Sequence, residues 1–156
     1  PLGIVYRSPG DVARSGLPDA SVDVVHSTSV LEHVPAGDLR AVLREARRVL
    51  RPDGVCVFLV DHHDHWAAAD SSIDALNFLR YSERRWRIWN CPMQYQNRLR
   101  HDDYVAMFRD AGFVLVAEEA IVDDAITVTP ERLDPAFAGR SDLRIGDSRF
   151  VLRPAG

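Results

Sequence analysis

The sequence predicts an α/β fold organised on a mostly parallel sheet, and three observations carry that prediction. Val22 to His26 is a short β-branched apolar run broken by a single Asp, the pattern of a strand buried on both faces of a parallel sheet. Asp38 to Leu50 repeats apolar residues at helical spacing. Leu39, Leu43, Ala46 and Leu50 share one face, and Arg40, Arg44, Glu45, Arg47 and Arg48 cover the rest. Val55 to Val60 is a second apolar run. Strand, helix and strand in this order form a right-handed parallel crossover.

The remaining elements follow along the chain. Gly3 to Tyr6 is a short apolar run and a candidate strand. Asp11 to Ser21 is punctuated by Gly and Pro and reads as loop. Pro52-Asp53-Gly54 stops the helix and turns the chain into the second strand. The Asp61 to Arg100 segment is rich in Trp, His, Asn and Arg. It is long enough to be a lid or substrate region with helical pieces rather than a plain connection. His101 to Ala111 is helical, with Tyr104, Phe108 and Ala111 on one face and Gly112 as its C-terminal cap. Phe113 to Glu118 alternates as a strand, Pro130 to Phe137 reads as a short helix, and Arg149 to Arg153 as a last strand.

Size and composition bound the function. A chain of 156 residues is one domain, 1–156, and buries roughly 70% of its unfolded surface. Hydrophobic residues make up 46% and charged residues 27%, the balance of a globular protein. The net charge of -4 argues against a nucleic-acid surface, because phosphate binding needs a basic face. All 19 basic residues are Arg, which suits a high-GC bacterial gene. No apolar run approaches the roughly 18 residues of a membrane span. Cys56 and Cys91 lack metal or redox spacing and read as reduced thiols of a cytoplasmic protein.

From Leu17 the chain reads LPDASVDVVHSTSVLEHV, then the amphipathic helix, then RVLRPDGVCVFLVD. This order resembles the middle of a class I S-adenosylmethionine-dependent methyltransferase, and the resemblance extends from about Tyr6 to Pro154. It implies a Rossmann-like sheet whose last strand is inserted antiparallel beside its predecessor. It implies S-adenosyl-L-methionine as cofactor and a small-molecule or glycan hydroxyl as methyl acceptor. The family opens with a strand and a Gly-x-Gly-x-Gly loop, and neither is present here. The expectation is therefore a methyltransferase sheet with its N-terminal strands missing, either the carboxyl-terminal part of an enzyme or a degenerate one. On that expectation this chain alone is inactive.

The resemblance assigns cofactor contacts to Asp11 and Val12, where the family's carboxylate accepts from the adenine amino group and the next backbone N–H meets the ring. Read alone, Asp11 is an ordinary turn residue. Ser27, Thr28 and Ser29 end the first buried strand, where doubly wound sheets bind their ligand. Ser29 also stands in capping-box spacing to Glu32. His33 lies one turn past the strand end. It is either the base that relieves the acceptor of a proton or a structural link between helix and sheet.

After the second strand come Asp61, His62, His63, Asp64, His65 and Trp66. Adjacent side chains on an extended segment point in opposite directions, so no metal is assigned to this run. Instead Asp61, His62, Asp64 and Trp66 are expected to line an acceptor pocket, with His65 beside the reacting groups. Asn97 and Arg98 join the substrate contacts. The elements around Asp64-His65, Asn77 to Ser82 and Gln96 to Arg100 resemble bacterial methyltransferases encoded among surface-glycan genes. Trp86 and Trp89 either stack on an acceptor or pack on the sheet from an amphipathic helix.

Three functions compete on this reading. They are methyl transfer to a hydroxyl, a methyltransferase-like binding module that has lost its cofactor, and a metal-dependent hydrolase using the His cluster. A symmetric homodimer through the Val22 to His26 edge is expected if the neighbouring strand is absent.

Overall fold

A computed structural model describes residues 3–156. Its sheet has four strands: β1 (Val22–Thr28), β2 (Leu50–Asp61), β3 (Phe113–Val122) and β4 (Ile145–Pro154). Their order is β1-β2-β4-β3. β1 and β2 pair in parallel, and β4 runs antiparallel to both β2 and β3. Three strands therefore share one direction, with the last strand inserted against them, as the sequence predicts.

Helix α1 (Ala36–Val49) connects β1 to β2, which makes the predicted crossover. It buries Leu39, Leu43, Ala46 and Val49. Leu39, Leu43 and Ala46 meet Cys56, Phe58 and Val60 from one face of β2, and Phe150 and Leu152 from β4. Helix α3 (His101–Asp110) covers the same face with Tyr104, Val105, Met107 and Phe108. Gly112, at φ +82°, ends α3 in the left-handed conformation that favours glycine. Arg47, read from sequence as solvent cover, donates to the carbonyls of Gly112 and Ala155 and ties α1 to the far side of the sheet.

Several expectations are corrected. Val22 to His26 is not buried on both faces: Val24 is 54% exposed, because β1 has a strand neighbour on only one side among the described residues. Gly3 to Tyr6 forms no strand and is exposed. Pro52-Asp53-Gly54 is not a separate turn. β2 starts at Leu50, and Arg51 to Gly54 stand opposite Asp23 alone, a bulge in the parallel ladder. Arg51 pairs with Asp23 across it. A Cβ on Gly54 would meet the Asp23 carbonyl oxygen and Leu50 Cδ1 at 2.8 Å, so this close approach demands glycine. The expected Pro130 to Phe137 helix shrinks to one 3-10 turn, Pro130–Arg132, followed by a separate turn that Phe137 N closes on Asp134 O.

The Asp61 to Arg100 segment has a core of its own. Leu76, Phe78, Leu79 and Trp86, the last on α2 (Glu83–Trp89), pack with Ile126, Leu133 and Leu143 from the β3–β4 connection. Arg100 fastens this layer to the sheet. Its buried guanidinium donates to the carbonyls of His62, Leu143 (3.1 Å) and Ile145 (2.8 Å). Burial pushes the guanidinium pKa down to about 10, still far above neutrality, so the cation is kept and spent on backbone oxygens.

Candidate functional site

The chemistry gathers where β1 and β2 end. Thr28 is the last residue of β1 and pairs with Leu59. Ser29 then takes a left-handed backbone, φ +49°, while its N–H still donates to Leu59 O at 3.0 Å. That reversal leads into a 3-10 turn, Leu31–His33, closed by His33 N to Val30 O at 2.9 Å. Leu31 anchors the turn in the core at 3% exposure. A turn this tight sends Glu32 inward and leaves His33 at the surface.

His65 arrives from the other strand. Asp64 caps the turn His65–Ala68 by accepting from Trp66 N at 2.9 Å, and its second oxygen accepts from Asn77 Nδ2 at 3.0 Å. The His65 ring comes to rest against His33, centroids 4.8 Å apart, edge to face. His33 Nδ1 lies 2.7 Å from Tyr95 O. A carbonyl only accepts, so Nδ1 carries the hydrogen and the neutral ring keeps its Nε2 lone pair free. Asp61 Oδ2 sits 3.4 Å from His65 Nε2.

Electrostatics mark the same place. Glu32 is 2% exposed, and neither carboxylate oxygen has a hydrogen-bond partner. Burial pushes its pKa up, opposed in part by the imidazoles of His33 and His65. Burial also presses the Asp61 carboxyl upward. The hydrogen bonds from His63 and the close approach of the His65 imidazole outweigh it and hold Asp61 well below the usual carboxylate range. The Asp61 carboxylate in turn raises both His63 and His65. His63 is already committed, with Nδ1 2.7 Å from Asp61 and Nε2 3.2 Å from Asp123.

The cofactor residues named from sequence fall beside a groove of about 510 Å³ along the free side of β1. Val12, Ser27 and Thr28 line it, with Leu17, Val24 and Val30. Asp11 caps the turn Val12–Arg14 through Ala13 N at 2.9 Å and lines an adjoining hollow that shares Val12. Ser29 does not cap the following turn. Val30 holds that position without a side-chain bond, so the expected Ser29–Glu32 capping box does not form.

Four residues expected to line an acceptor pocket have polar groups engaged in hydrogen bonds within the fold. His62 is 1% exposed, its Nε2 2.7 Å from Ser148 Oγ. Asp64 is 1% exposed and occupied as described. Asn97 is 6% exposed, and its Nδ2 donates to Leu31 O and Val34 O at 2.9 and 2.8 Å. Arg98 turns to the Tyr81 carbonyl and to Glu83. Asp61 and Trp66 remain partly accessible at the strand end. The tryptophans divide: Trp86 packs in the second core, while Trp89 is 62% exposed.

Sequence reasoning missed a second polar chain. Ser148 Oγ lies 2.7 Å from both His62 Nε2 and His101 Nδ1, and His101 Nε2 lies 2.7 Å from Glu118 Oε1. The carboxylate accepts from His101 Nε2–H, so Ser148 donates to Nδ1 and accepts from His62. Ser148 is fully buried, which makes this a structural network. Its members are far apart in sequence, so no local pattern announces it.

Comparisons with known proteins agree with the fold. The methyltransferase domain family matches residues 5–58. A comparison with curated proteins returned no match. Among solved structures, an S-adenosylmethionine-dependent methyltransferase from Mesorhizobium loti is 18% identical, with TM-score 0.58, over 92% of this chain and 67% of its own. A Haloferax volcanii protein solved with the Trm112 methyltransferase activator is 22% identical, with TM-score 0.54, over 94% of this chain and 60% of its own. The [4+2]-cyclase SpnF is 16% identical, with TM-score 0.54, over 94% of this chain and 56% of its own. The fold thus serves more than one reaction. The chain shares the Rossmann-like sheet of these solved structures, and the segment matched by the methyltransferase domain family supplies its β1, α1 and most of β2.

Proposed function

We propose that this chain serves methyl transfer from S-adenosyl-L-methionine to a hydroxyl of a small molecule or glycan, with the acceptor seated by His33 and His65. The observation that carries the reading is this imidazole pair at the carboxyl ends of β1 and β2, with His33 Nδ1 fixed on Tyr95 O and Nε2 free. The groove suits the cofactor: Val12 is 64% exposed for a ring to lie on, Asp11 offers an exposed carboxylate, and the backbone turns outward at Ser29. S-adenosylmethionine, when bound, supplies an electrophilic methyl group. The protein's part is positioning and a proton sink. His33 Nε2 would take up the proton that the acceptor hydroxyl gives up on methylation. Asp61 and Trp66 remain as acceptor contacts, and Tyr95 O holds the ring of the base. The reading includes a cytoplasmic bacterial setting, which the free thiols of Cys56 and Cys91 suit.

The second reading is a binding module without catalysis, since one fold can serve binding as well as chemistry. Calorimetry with S-adenosylmethionine and transfer of its labelled methyl group to a panel of sugars and phenols separate the two. Methyl transfer predicts label on oxygen, with turnover falling roughly 10²- to 10⁴-fold in His33→Ala while cofactor affinity holds. His65→Ala is expected chiefly to raise KM for the acceptor. No label on any acceptor, together with no cofactor binding, selects the binding module.

A further inference from the structure

We propose that Glu32, His33 and His65 form a binding site for a divalent transition-metal ion of the zinc class, open on one side to an acceptor oxygen. One donor atom from each residue lies within 4.8 Å of the others. Donors about 2.1 Å from a common ion stand roughly 3–4 Å apart, so a modest rotamer adjustment closes the site. Two imidazoles and a carboxylate are the ligand set of open zinc sites, with a further position left for water or substrate. Nitrogen donors disfavour magnesium and calcium, which take oxygen.

A second observation points to a cation independently of this spacing. Glu32 is 2% exposed, both its oxygens lack a partner, and one of them faces the two histidines. A buried carboxylate without hydrogen bonds is costly unless a positive charge completes it. The surroundings resemble the outer support of a metal site. Ligating histidines usually give their second nitrogen to a carbonyl or carboxylate. Here His33 Nδ1 meets Tyr95 O at 2.7 Å, and His65 Nε2 stands 3.4 Å from Asp61 Oδ2. His33 lies at the surface, so the open position faces solvent.

The objection drawn from sequence, that neighbours in Asp61 to Trp66 diverge, does not apply. The ligands come from two turns at the ends of adjacent parallel strands. Binding itself is independent of the methyl-transfer reading. Its catalytic consequence rests on that reading: the ion would polarise the acceptor hydroxyl and occupy the nitrogen otherwise available as base.

The test is calorimetry of the purified, metal-stripped chain with Zn²⁺, Mn²⁺ and Mg²⁺ under reducing conditions, plus the visible spectrum of the Co²⁺ form. One ion per chain is expected for Zn²⁺, weaker binding for Mn²⁺ and none for Mg²⁺, with Co²⁺ bands of a nitrogen–oxygen site. Glu32→Gln and His65→Ala are expected to weaken Zn²⁺ by more than the roughly 10- to 100-fold typical of a supporting residue. Absence of Zn²⁺ binding and of Co²⁺ bands in the wild-type chain overturns the proposal. So does binding unchanged in both variants, or binding lost only in His63→Gln, which would move the ion to the Asp61, His63 and Asp147 group. These readouts need neither cofactor nor acceptor, so failure of methyl transfer leaves them intact.

Discussion

At the scale of single residues, burial divides the histidines by role. His33 lies at the surface and His65 is half-buried beside it, while His62 is spent inside. Burial, with repulsion from Arg100 and His101, holds the His62 pKa down at about 3. In the unfolded chain a histidine titrates near 6.5. Between those values the unfolded state takes up a proton that the folded state refuses. Stability from this group is therefore complete above pH 6.5 and falls as pH drops towards 3. Urea midpoints at pH 7, 6, 5 and 4 should decline for the wild type, and His62→Gln should flatten that decline. Parallel profiles for the two proteins would show that another group controls acid stability. The sequence could not separate His62 from His65. Both lie in one polar run, and only the register that directs His62 at Ser148 decides between them.

At the scale of elements, pattern was legible where one element meets one surface. The α1 stripe of Leu39, Leu43 and Ala46 dictated its own burial, and Gly112 marked the end of α3. Asn97 and Arg98 were opaque because their partners, the carbonyls of Leu31, Val34, Phe78 and Tyr81, lie 17 to 66 residues away. Backbone oxygens leave no trace in a side-chain pattern. Glu32 was misread for a related reason. A capping box needs the Ser29 N–H for the Glu32 carboxylate, and that N–H is already donated to Leu59 O. Helix α2 shows the same limit. Trp86 and Trp89 share helical spacing, yet Trp86 stacks on Tyr81 and donates to Gln96 O at 3.3 Å, while Trp89 faces solvent. Trp86→Ala should destabilise by about 3–5 kcal/mol through the cavity it leaves, and Trp89→Ala by no more than about 0.5 kcal/mol. Chemical denaturation measures both. Equal losses would place Trp89 in a packed environment that the structure does not give it.

At the scale of the molecule, the sheet is covered unevenly. α1 and α3 both pack on the Cys56, Phe58 and Val60 face, and Val55, Val57 and Leu59 on the other face are only half-buried. Among the described residues β1 forms one edge, with Val24 54% exposed above the groove. An apolar edge strand without proline recruits another strand, because its outward N–H and C=O groups need partners that water supplies less cooperatively. The chain's own Ile4 to Tyr6 segment does not fill the place: these residues are 79%, 78% and 87% exposed. A second copy can do so, β1 against β1 about a two-fold axis, since a self-complementary edge closes after two subunits, and it would then compete with a cofactor for the groove along that edge. Asp23 lies in that edge and is already paired with Arg51, which lowers its repulsion towards its counterpart. The expected outcome is a concentration-dependent dimer in sedimentation, with the β1 amides protected from exchange only at high concentration. Val24→Lys should hold the chain monomeric, because two lysines would then face each other across the seam. A monomer at all concentrations with unprotected β1 amides would refute the dimer. Dimerisation undiminished by Val24→Lys would place the contact elsewhere on the molecule.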